Sequence, residues 1–108
     1  MNFNEILYDS RFRVLNAQCD VDSISVSGLY VGDLLSMVIS KAKPGQVWLT
    51  SQTHPNIIAV ASLIELSAVI VVEGAEVPAE TIHLANEKGV ILISSVLDAV
   101  EIIKMIDL

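Results

Sequence analysis

At 108 residues with a formal net charge of −7, the chain is read as a single domain, 1–108, large enough for its own core but too small to add a substrate domain. Six basic residues against thirteen acidic ones argue against a nucleic-acid backbone or an anionic membrane as partner, because both need clustered Lys and Arg. No apolar run reaches the roughly 18 residues of a membrane span, the start MNFNEILYDSR lacks a signal-peptide pattern, and the lone Cys19 excludes an internal disulfide and fits a reducing cytoplasm.

Residues 3 to 8 suit one or two helical turns capped by Asn2 or Asn4, and Phe12 to Leu15 a short strand. Asn16 to Ser23 reads as a loop, where Asp20 and Asp22 would raise the thiol pKa of Cys19 and not activate it. Ile24 and Val26 alternate with serines, which predicts a half-buried strand from Ser23 to Gly28. The next stretch, GLYVGD, reads as a turn, with Asp33 as N-cap or first-turn acid of the following helix. Asp33, Ser36, Ser40 and Lys43 form one wet stripe on that helix, which Lys43-Pro44-Gly45 ends.

From Gln46 a pattern repeats about every 22 residues. Apolar runs at 47–50, 68–72 and 90–94 read as strands, each leading to a helix, near 55–66, 78–88 and 96–106. The strands are short, uncharged and rich in β-branched residues, so they suit a sheet buried on both faces. Strand alternating with helix implies an α/β fold: three layers, a mainly parallel sheet flanked by helices.

The candidate site is the loop at the end of the 47–50 strand. Thr50, Ser51, Gln52, Thr53, His54 and Asn56 stand there, around a Pro55 that fits a first helical turn. Ligands of open α/β sheets bind at strand C-terminal ends, and Glu73 and Gly74 end the next parallel strand on the same edge. The functional reading is that these groups and exposed N–H groups hold an anionic or amide-bearing ligand. The competing reading is helix capping, with Thr53 or His54 satisfying free N–H groups. His54 has no Ser, Cys or acid at a nucleophile-motif spacing, and His83 lies between Glu80 and Glu87 as a surface pairing residue with too few neighbours for a metal. Phosphate-loop, dinucleotide-fold and zinc signatures are absent, so no metal and no cofactor is assigned.

GLYVGDLLSMVIS, VWLTSQTHPNIIAVASL and AVIVVEGAEVP together resemble a stand-alone DRTGG domain, from about Val26 to the C-terminus. The most specific part is Trp48-x-Thr50-x-Gln52-x-His54-x-Asn56, a pattern associated with short single-domain members. The five letters that name the domain are not kept: laid over Thr53 to Ile57, none matches. The resemblance implies a three-layer α/β domain similar to the N-terminal domain of HPr kinase/phosphorylase, without its kinase domain. Such domains are accessory parts of phosphotransacetylases and, between CBS domains, of regulated pyrophosphatases. They tend to form homodimers, and some short members accompany iron-only hydrogenase systems.

Three functional readings follow. The first is a cytoplasmic, non-catalytic regulatory module that binds a small anionic metabolite or nucleotide at the 50–56 rim and works as a homodimer. The second is an interaction or scaffold module with no small ligand. The third is a small enzyme using His54 and Glu73. The dimer is also expected from two helices, 96–106 and the one from Leu34, whose apolar positions exceed what one sheet can bury.

Overall fold

The computed structural model describes residues 1–16 and 20–106; Cys19 lies outside them. The described chain runs α1 (Phe3–Ile6), β1 (Phe12–Val14), β2 (Gly28–Val31), α2 (Leu35–Lys41), β3 (Gln46–Thr50), α3 (Asn56–Ile64), β4 (Ala68–Val71), α4 (Ala79–Lys88), β5 (Leu92–Ser95) and α5 (Ala99–Met105). The sheet order is β1-β5-β4-β3-β2. β2 to β5 are parallel and β1 pairs antiparallel to β5 at the edge. This is the expected α/β architecture.

Each parallel strand lies beside the next one in sequence, so the crossovers α2, α3 and α4 all fall on one face. There Trp48, Val69, Val71 and Leu92 pack under Val38, Ile57, Ile58, Ala61 and Ala85. The other face carries Val47, Leu49, Ile70 and Ile93 and is covered by Phe3 and Ile6 of α1 and Ile102 of α5. Successive side chains of a strand point to opposite faces, which is why β3 and β4 are apolar at every position of both cores. The second face has only a four-residue and a seven-residue helix to cover it. Its surplus at the β2–β3 end is part-covered by Ile24 and Val26, while Val31 stays 47% exposed.

Four local expectations change. Ser23 to Gly28 is not a strand: a single 3-10 turn, Val21–Ser23, precedes an irregular stretch. The alternation there does place Ile24 and Val26 against the core, but the ladder begins only where β3 offers a partner, at Gly28 opposite Gln46. GLYV is therefore strand and not turn. Asp33 does not cap α2, whose N-cap is Leu34 with no side-chain bond. α5 begins at Ala99, later than expected, because Asp98 caps it in a reciprocal box with Glu101.

Candidate functional site

β3 and the residues just past it hold the exit loop of β2. Trp48 is fully buried, and its indole N–H donates to the Gly32 carbonyl at 2.7 Å. Two residues on, the Thr50 hydroxyl donates to Asp33 Oδ1 at 2.7 Å. Ser51 adds its N–H to Oδ1 and its hydroxyl to Oδ2, both at 2.8 Å. The Gln52 amide reaches the Asp33 carbonyl at 3.3 Å. Three alternate residues, Trp48, Thr50 and Gln52, thus clamp Gly32-Asp33. Asp33 turns from its helix toward β3 because three donors converge on it there. Burial raises the pKa of this carboxyl, but the bonds from Ser51 and Thr50 outweigh burial and hold it below the usual carboxylate value.

The rest of the loop is occupied with its own backbone. Gln52 N–H donates to Thr50 Oγ1 at 3.1 Å, and the buried Thr81 of α4 donates to the Thr53 carbonyl at 2.7 Å. His54 Nδ1 accepts from Asn56 N–H at 3.1 Å, so the imidazole caps the first turn of α3. Gln52, Thr53, His54 and Asn56 stand off the cleft described next.

Past β4 the chain turns through Glu73 and Gly74, both left-handed at φ 63° and 68°, closed by Ala75 N–H to the Val72 carbonyl. Two successive positive φ values suit a type I′ turn. Glu73 N–H and Gly74 N–H donate to the Leu97 and Ser95 carbonyls, both at 2.8 Å. These two amides are therefore spent on fixing the turn against the β5–α5 connection.

Thr50, Ser51 and Glu73 line one cleft of about 310 Å³ at the C-terminal sheet edge, on the α5 face. Gly32, Asp33 and Asp98 join them, with Val31, Val72 and Val100 as apolar wall. The cleft lies between the ends of β2 and β3, the residues just past β4, and the first residues of α5, Ala99 and Val100. Three carboxylates line it and no Lys, Arg or His does among the described residues, nor do those residues include a cluster fit to hold a metal ion. Gly32, Asp98 and Val100 were not foreseen as lining residues. The Asp98-x-x-Glu101 spacing, a capping-box signature, was the signal that could have placed Asp98 at this rim. Gly74 lines a different cleft, beside Arg11 and Arg13.

No family model and no curated protein matches the chain. Its fold is similar to the crystal structure of the CBS and DRTGG domains of the regulatory region of Clostridium perfringens pyrophosphatase, complexed with its activator diadenosine tetraphosphate. The TM-score is 0.70 at 15% identity, over 95% of this chain and 44% of that one. The likeness is one of fold, and this chain spans less than half of the pyrophosphatase region's length. No described helix is long and apolar enough to cross a membrane.

Proposed function

We propose that the chain is a DRTGG-type regulatory domain, non-catalytic, that senses a nucleotide-class ligand at the cleft of Gly32, Asp33, Thr50, Ser51, Glu73 and Asp98 and works as a homodimer in the cytoplasm. The observation that carries this reading is the cleft itself: a concave site at the strand ends, apolar on one wall and hydrogen-bonding on the other. The fold likeness to a nucleotide-activated regulatory region supports a sensing role. The cleft's charge restricts which part of such a ligand fits. Carboxylates accept from ribose hydroxyls and amino groups, whereas phosphates would meet three like charges at short range. The nucleoside end, not the phosphate end, belongs here.

The same geometry disfavours catalysis. The Ser51 hydroxyl faces Asp33, but a carboxylate held below its usual pKa is a poor base. His54 caps α3 and lies off the cleft, so His54 and Glu73 do not form a pair within it.

Thermal melting of the chain with adenosine, AMP and dinucleoside polyphosphates tests the reading. A bound ligand at a hundredfold excess over its Kd adds about 2.7 kcal/mol, which raises the Tm of a domain this size by roughly 10 °C or more. Asp98→Asn and Glu73→Gln should diminish the rise. No rise with nucleoside or nucleotide would leave the scaffold reading, which the exposed apolar residues of α5 favour.

A further inference from the structure

Both arginines of this acidic chain, Arg11 and Arg13, line a second cleft of about 290 Å³ with Ser10, Ser94 and Gly74. It lies along the same sheet edge as the acidic cleft, but over β5 and β1. The Val72–Ala75 turn divides the two, with Glu73 on the acidic side and Gly74 on the basic side. An adjoining lobe of about 270 Å³ shares Arg13, Ala75 and Ser94, and is walled by Val77 and Ile82 with Glu76 beside them.

The two arginines are not equivalent. Arg11 is committed to Asp9 through a bidentate pair at 2.9 and 2.7 Å. Arg13 is exposed and makes no hydrogen bond or ion pair among the described residues, in a chain with thirteen acidic residues to choose from. Ser94 stands directly opposite Arg13 in the β1–β5 ladder, on the same face, about 5 Å away at Cβ. Its hydroxyl too has no partner among the described residues. Nothing lies within 4 Å of where a side chain on Gly74 would start, so that wall of the cleft is bare backbone open to an approaching group.

We propose that Arg13 and Ser94 form an oxyanion site that takes the phosphate of a small phosphomonoester. The guanidinium offers parallel N–H donors, and the serine hydroxyl adds a donor from the strand opposite, which suits a tetrahedral anion more than a planar one. The ester substituent then lies along the adjoining lobe, where Val77 and Ile82 offer apolar contact and Glu76 accepts from a hydroxyl. This site is separate from the acidic cleft and does not depend on the nucleoside reading.

The test is an NMR titration of the whole chain with inorganic phosphate, and with succinate in parallel, at low chloride. Phosphate is expected to shift the Arg13 side-chain N–H and the Ser94 and Gly74 amides. Arg13→Gln should weaken binding about tenfold or more, and Arg13→Lys should weaken it too, because lysine keeps the charge but loses the fork. Lys104→Gln, on α5, should leave it unchanged. Shifts absent at high phosphate, shifts that persist in Arg13→Gln, or an equal response to succinate would each overturn the proposal. Adenosine binding, or its lack, bears only on the acidic cleft.

Discussion

The hydroxyl of Thr50 donates to Asp33 Oδ1 across 2.7 Å, from a side chain that is 1% exposed. This bond joins the end of β3 to the exit loop of β2 and sets the floor of the acidic cleft. Thr50→Val keeps the shape and removes the hydroxyl, so Asp33 and Gln52 N–H both lose a partner. The expected loss is about 1–3 kcal/mol for Thr50→Val and for Asp33→Ala. In urea melts the double variant should lose less than the sum, because both changes break the same bonds.

The same carboxylate gives a pH dependence. Its folded-state pKa lies below the ordinary value of 3.8. A depressed acid contributes stability that is fully present above the unfolded value and is lost as pH falls through the folded one. The stability difference between wild type and Asp33→Ala should therefore hold near pH 7 and shrink as pH drops below about 4. Urea melts at pH 7, 4 and 2.5 would show it, and a difference that stayed constant would contradict the lowered pKa. Asp9, held at about 2 by Arg11, titrates in both proteins and cancels from the comparison.

The architecture was legible because the runs at 47–49, 68–72 and 90–93 are apolar without interruption, and only a doubly covered sheet suits that. The irregular stretch 24–27 was not legible as such, since its alternation reports burial of Ile24 and Val26 but not the absence of a hydrogen-bonded neighbour. The candidate cleft was legible in part. Trp48, Thr50 and Gln52 stood out as a pattern, and the geometry assigns them to clamping Gly32-Asp33. The role of Asp33 could not be read, because its partners are 17 and 18 residues away, while a helix start lies next to it. His54 combined two expectations: capping is seen at Asn56 N–H, and no cleft contact accompanies it.

Glu65 and Glu73 occupy left-handed backbone, φ 62° and 63°, where a side chain costs roughly 1–2 kcal/mol relative to glycine's ease there. Glu65 ends α3 as Gly89 ends α4. Glu65→Gly is expected to raise stability by about 1 kcal/mol with no effect on ligand binding. Glu73→Gly should raise stability similarly and weaken nucleoside binding, because it removes a carboxylate from the acidic cleft. Equal effects of the two changes on binding would remove Glu73 from the site.

His54→Ala should leave the fold intact. Its ring is exposed and holds one cap bond, worth about 1 kcal/mol. A loss of several kcal/mol in the melt would mean that the ring supports more than the first turn of α3.

The proposed homodimer has a surface to use. Val100 and Ile103 are one helical turn apart on α5 and are 59% and 43% exposed. α1 packs onto the same sheet face through Phe3 and Ile6, yet leaves both residues open. Val100 also lines the acidic cleft beside Val31, so the patch is continuous across α5 and the edge strand β2. Leu34, Met37 and Ile39 add a second exposed group at α2. Two-fold pairing through the α5 patch would bring two acidic clefts close to one axis, and a stable dimer needs more than roughly 1,000 Å² buried in total. Ile103→Glu places a charge in the centre of that patch while leaving Ile102, the buried residue of α5, untouched. Sedimentation at micromolar concentration should then show a dimer for the wild type and an 11.7 kDa monomer for the variant. An 11.7 kDa species alone in the wild type would end the dimer proposal. A dimer that survives Ile103→Glu would move the interface to α2, where Leu34→Glu is the corresponding change.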